Sequence, residues 1–225
     1  MSLAIDSDEE VQTKRFKVVV VGSGSVGKTS LVCRFCQDYF SESYKQTIGL
    51  DFFSTNITLP DGTMAIISLW DIGGQAIGSK SLRNYIFGAD AILFVYDITN
   101  LQSFHDLKDW HEIVQDVFRE SEQPIPLCSL LGNKTDLSHL RMIRISQHSS
   151  FAQEHTMNSL FVSAKTGDNV GKAFFKVAAD LCGIQLTKTQ LDSETQVMEA
   201  HIIQTPHNGE EVQVIEEASG WCSLQ

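Results

Sequence analysis

The stretch from residue 16 to residue 35 constrains the fold of this chain more tightly than any other. Phe16-Lys17-Val18-Val19-Val20-Val21 is a β-branched apolar run suited to a buried strand of a parallel sheet. It leads into Gly22-Ser23-Gly24-Ser25-Val26-Gly27-Lys28-Thr29, which has the pattern G-x-x-x-x-G-K-[ST]. Ser30-Leu31-Val32-Cys33-Arg34-Phe35 then opens an amphipathic helix. Strand, glycine loop and helix in that order are the setting a phosphate-binding loop requires. The glycines let backbone N–H groups converge on phosphate oxygens, and the helix N-terminus adds its partial positive charge. In such a loop the Lys28 ammonium reaches the β- and γ-phosphates, and the Thr29 hydroxyl ligates Mg²⁺. The motif implies a bound nucleoside triphosphate without separating kinases, ATPases and GTPases.

Composition narrows the class. At 225 residues, 42% hydrophobic and 20% charged, the chain has the make-up of a soluble globular domain with room for a tail. A formal charge of −11 argues against general nucleic-acid binding, which needs a concentrated basic surface. Apolar runs such as Ala91-Ile92-Leu93-Phe94-Val95-Tyr96 fall far short of the ~20 residues that span a bilayer. The acidic start, Met1 to Glu10, has no signal-peptide core, and Ser2 stands where N-myristoylation needs glycine. Cysteines 33, 36, 128, 182 and 222 fit a reduced cytosolic chain. Cys33 and Cys36 have C-x-x-C spacing inside a helix with no second ligand pair, so they read as core residues.

Strands are expected near 16–21, 52–58, 64–70, 91–96, 127–131 and 159–163. Leu59-Pro60-Asp61-Gly62-Thr63 is a turn signal that makes the second and third an antiparallel hairpin. Helices are expected after the phosphate loop and over 101–119, 146–155 and 168–182, with Gly183 as a stop. Phe104, Leu107, Trp110, Val114 and Phe118 share one face of the helix at 101–119 and read as core. The fold class is therefore α/β: a six-stranded, mostly parallel sheet with one antiparallel strand and helices on both faces. A short acidic extension over 1–15 precedes a domain over 16–183. From 184 to 225, one lysine faces seven acidic residues, the composition of a flexible acidic tail, with a helical start at 187–199.

Two further motifs select the base. Asn133-Lys134-Thr135-Asp136 follows the apolar run Leu127 to Leu131, at the strand end where open parallel sheets bind ligands. An aspartate there accepts hydrogen bonds from guanine N1–H and the 2-amino group, a donor pair adenine lacks. Ser163-Ala164-Lys165 follows another apolar strand.

With these motifs in this order, residues 16–183 resemble the small GTPases of the Ras superfamily, whose G domain is a phosphate-loop NTPase fold. The resemblance implies that Asn133 and Asp136 read guanine, while Lys134 packs along the base and braces the phosphate loop. It implies that the Ala164 N–H meets the guanine carbonyl oxygen beside Ser163, that Lys165 covers the ring, and that Phe40 stacks near it. It further implies that Ser30 and Tyr44 complete the nucleotide contacts. Tyr44-Lys45-Gln46-Thr47-Ile48-Gly49-Leu50-Asp51-Phe52 resembles the first switch of the Rab family, in which Thr47 ligates Mg²⁺ and senses the γ-phosphate. Trp70-Asp71-Ile72-Gly73-Gly74-Gln75 resembles the second switch. There Asp71 holds Mg²⁺ through water, the Gly74 N–H meets the γ-phosphate, and Gln75 orients the attacking water beside Lys28.

The resemblance further implies a GTP/GDP switch, acting in membrane trafficking, with slow intrinsic turnover. Its expected partners are an exchange factor, a GTPase-activating protein and GTP-state effectors acting on a monomer. Two departures mark a divergent Rab. Ile72-Gly73 replaces the usual Thr-Ala, and Ala76 stands where Rabs have Glu. The doubled glycine also resembles Arf-like proteins, and an unusual second switch leaves open a GTP-binding scaffold with little hydrolysis. The last four residues, Cys222-Ser223-Leu224-Gln225, fit a farnesylation box at a single cysteine. One lipid on an acidic tail anchors weakly and reversibly. The expectation is exchange between cytosol and the cytoplasmic face of membranes, helped by a soluble prenyl-binding carrier, with a ciliary or endosomal address implied by resemblance alone.

Overall fold

The valine run after Phe16 is buried on both sides because alternate side chains enter two different cores. Val18 and Val20 face one, Val19 and Val21 the other. The computed structural model describes residues 13–193, and β1 spans Thr13–Val21. The remaining strands are β2 (Leu50–Thr58), β3 (Met64–Ile72), β4 (Ala91–Asp97), β5 (Leu127–Asn133) and β6 (Asn158–Phe161). They form one sheet in the order β2-β3-β1-β4-β5-β6, parallel throughout except for β2 against β3. The turn at Pro60-Asp61-Gly62 closes that hairpin, with Leu59 N–H donating to Thr63 O at 2.9 Å.

The two faces carry different helices. On one, α1 (Lys28–Gln37) and α6 (Val170–Cys182) meet through Phe35 and Phe174, stacked at 4.1 Å between ring centroids. On the other lie α2 (Leu82–Ile86), α3 (Leu101–His105), α4 (Leu107–Glu120) and α5 (Ile145–Glu154). Trp110, Val114 and Phe118 enter that second core, as their spacing requires.

Some expected elements differ. The helix expected over 101–119 is interrupted at Asp106, whose carboxylate accepts from Ser23 Oγ at 2.6 Å and from Gln102 Nε2 at 2.7 Å. α2 and a 3₁₀ turn at Thr135–Leu140 were not expected, being too short for a periodic signal. Packed residues are also found on either side of 16–183. β1 begins at Thr13, and Ile184, Leu186 and Leu191 pack on the first core, Leu191 from α7 (Lys188–Ser193). The expected helical start at 187–199 lies outside the described residues beyond 193. Cys36 and Cys128 are buried, their thiols pushed up to about 12 by that burial, whereas Cys33 is half-buried and lines a cleft rather than the core.

Candidate functional site

The carboxyl ends of β1, β4 and β5 share one edge of the sheet, where parallel strands expose their outgoing loops to ligands. A cleft of about 710 Å³ opens there. It is lined by Gly24, Ser25 and Gly27 to Ser30 of the phosphate loop, Phe40 to Thr47 of the first switch segment, and Gly74 with Gln75. Asn133, Lys134, Asp136, Ala164 and Lys165 close its far end. Gly22, Ser23, Val26 and Ser163 do not line it; their carbonyls or hydroxyl hold the residues that do. Lys28, Lys45, Lys134 and Lys165 on the wall suit an anionic guest in a chain that is acidic overall.

The phosphate end is built on close backbone approach. Gly22 has φ +138°, and a Cβ there would lie 2.1 Å from Val95 O, so only glycine lets β1 leave the sheet beside β4. The buried Lys28 ammonium donates to Gly22 O and Ser23 O, both at 2.8 Å. Burial lowers its pKa to about 8, against the opposing charge of Asp71. Asp71, at the end of β3, is fully buried, and burial raises its carboxyl to about 6 against the Thr29 hydrogen bond and the Lys28 charge.

Thr29 Oγ1 donates to Asp71 Oδ2 and lies 2.7 Å from Thr47 Oγ1. Hydroxyls from α1 and the first switch thus meet a carboxylate from β3. Asp71 Oδ1 has no hydrogen-bond partner among the described residues. A buried orphan oxygen beside two hydroxyls is the hard-oxygen set that suits Mg²⁺. No cluster of three His, Cys, Asp or Glu able to hold a metal occurs among the described residues.

The two switch segments touch each other and the phosphate loop. Gly73 N–H donates to Gly49 O at 2.9 Å, and a Cβ on Gly73 would lie 2.5 Å from Thr47 O. A Cβ on Gly74 would lie 2.2 Å from Gly24 N and 2.4 Å from the Ser23 carbonyl carbon. Residues 73–74 are therefore wedged between the first switch and the phosphate loop. Tyr44 stands exposed at the rim, and Phe40 packs on the first core beside it.

At the base end, Asn133 Nδ2 donates to Val26 O at 2.8 Å, and Asn133 Oδ1 accepts from Ala164 N–H at 3.1 Å. The Ala164 N–H, expected to face a guanine oxygen, is thus used by the buried amide within its reach. Lys134, at φ +70°, donates to Ser25 O at 2.9 Å and pairs with Asp97 Oδ2 at 2.7 Å. Asp136 Oδ1 accepts from Ser163 Oγ at 2.6 Å, so that hydroxyl orients a carboxylate rather than a ligand. Lys165 reaches Glu42 of the first switch at 3.4 Å on the surface, a pair of small energetic weight.

Asp97 and Arg34 belong to this architecture although no motif marks them. Asp97 carried one available signal, its place directly after the buried run Ala91 to Tyr96 at a strand's carboxyl end. Arg34 carried none.

Residues 17–182 match the profile of the Ras family. The chain is also 39% identical over 201 residues to the Ras-related protein Rab-28 of Caenorhabditis elegans, across 89% of this chain and 81% of that protein.

Proposed function

We propose, from the premise that this chain belongs to the Ras family and to its Rab group and is therefore a GTP hydrolase, that it works as a slow GTP-timed switch recruiting effectors to membranes. The likeness to a Rab protein favours that group over an Arf-like one. The convergence of Thr29, Thr47 and Asp71, with Gly73 and Gly74 wedged on the phosphate loop, carries this reading. It joins both switch segments to the place where a γ-phosphate and its cation would lie.

Thr29 and Thr47 would hold Mg²⁺, with Asp71 supporting it through water. When bound, that ion neutralises charge building on the transferred phosphoryl group. Lys28, released from Gly22 O and Ser23 O, supplies a second positive charge from within the loop. The Gly74 N–H senses the γ-phosphate, and Gln75 on the cleft wall orients the attacking water. No arginine lines the cleft among the described residues, which supports slow intrinsic turnover and an activating protein that adds the missing cation. Gln75→Leu should slow single-turnover GTP hydrolysis by about tenfold or more. It should leave GTP affinity within about twofold of wild type. Unchanged hydrolysis would remove Gln75 from this role.

GTP-state effectors would dock on the exposed apolar strip beside the switches. Ile48 is 90% exposed and Phe52 47%, with Phe52 edge-on to Trp70 at 4.5 Å. An exchange factor would act on the same segments. The membrane step rests on Cys222, which lies outside the described residues, as a farnesyl acceptor with a soluble carrier for the lipid. No helix among the described residues is long and apolar enough to cross a membrane. With Cys222 as the lipid acceptor, Cys222→Ser should empty the membrane-bound pool on fractionation, and an unchanged distribution would contradict prenyl anchoring.

A further inference from the structure

Arg34 ties three parts of the cleft together from behind. It stands on α1, six residues past Lys28, with its side chain only 18% exposed. Nε donates to Ala164 O at 3.0 Å and Nη2 to Lys165 O at 2.9 Å. Nη1 donates to Asp38 O and Asp38 Oδ1, both at 2.9 Å. Asp38 caps α1 at φ +46°, directly before the first switch segment. The ion pair matters little, since Asp38 is 92% exposed. The two carbonyls matter more, because the planar guanidinium fixes both peptides at once.

In a trans peptide the N–H points opposite to the C=O. Holding Ala164 O towards α1 turns the Lys165 N–H to the other side, and Lys165 lines the cleft. Holding Lys165 O likewise directs the Thr166 N–H, which donates to Ser163 Oγ at 3.1 Å. Ser163 Oγ donates in turn to Asp136 Oδ1. The donors of the base-facing loop are thus set by one side chain outside the cleft, while Asp136 stands on the separate turn after β5. We propose that Arg34 is a positioning residue for base discrimination, holding the 163–166 loop in the geometry that distinguishes guanine. This rests on the guanine reading above.

The test compares GDP with 2-aminopurine riboside diphosphate, which presents neither a carbonyl oxygen nor a ring N–H to that loop and is itself fluorescent. Arg34→Met keeps the aliphatic stem and removes every donor. Its GDP affinity should fall by about tenfold or more, while its affinity for the 2-aminopurine nucleotide should change by less than about threefold. Arg34→Lys, which keeps the charge and one donor group, should recover part of the GDP loss and guards against a variant that fails to fold. Equal losses for the two nucleotides, or no loss for either, would overturn the proposal. Failure of the wild type to prefer GDP would instead overturn the guanine reading itself.

Discussion

Asp136→Asn should turn a cleft selective for guanine into one that prefers xanthine nucleotides. A carboxylate at this place would accept two hydrogen bonds from guanine, whereas an amide presents a donor that xanthine's 2-carbonyl can accept. The surroundings decide which end of the new amide faces the base. Ser163 Oγ donates to Asp136 Oδ1 at 2.6 Å, so an asparagine keeps its oxygen on Ser163 and turns its NH₂ towards the cleft. GDP affinity should fall by about a hundredfold or more, and affinity for xanthosine diphosphate should rise. Competitive titration against a fluorescent guanine nucleotide measures both. Unchanged GDP binding would place the base elsewhere.

Gly74→Ala should separate GTP binding from GDP binding. A methyl group there would meet Gly24 N at 2.2 Å and the Ser23 carbonyl carbon at 2.4 Å, atoms of backbone that cannot step aside singly. The second switch would be driven off the phosphate loop, and with it the N–H proposed to meet the γ-phosphate. Affinity for a non-hydrolysable GTP analogue should drop by about tenfold or more while that for GDP stays within about threefold. Equal effects on the two nucleotides would show that residue 74 senses no γ-phosphate. The neighbouring Gly73 gives the doubled glycine a reason in this chain. Thr47 O lies 2.5 Å from where an alanine methyl would stand, so the first switch sits closer to the second than the usual Thr-Ala pair would allow.

What could be read in advance follows from the range of the forces involved. The valine run, the glycine loop and the hairpin turn are local signals, and β1, α1 and the β2–β3 pair appear where they were expected. Motif residues were legible because phosphate and base recognition demand particular groups at particular spacings. Long-range hydrogen bonds were not. Arg34 reaches carbonyls 130 and 131 residues away, and Asn133 grips Val26 O 107 residues away, so nothing near either residue in sequence announces the contact. The Ser23–Asp106 bond, spanning 83 residues, marks the one place where the helix pattern over 101–119 failed. A motif says which residues matter and not which of them line the cleft, as Val26 and Ser163 behind its wall illustrate.

The most direct test of the whole account is single-turnover turnover of radiolabelled GTP by the Mg²⁺-loaded protein, with excess ATP as competitor. The geometry of the cleft predicts slow, first-order release of phosphate that stops when Mg²⁺ is chelated and is unaffected by ATP. Loss of the signal to ATP competition, or phosphate release that continues without the metal, would contradict it.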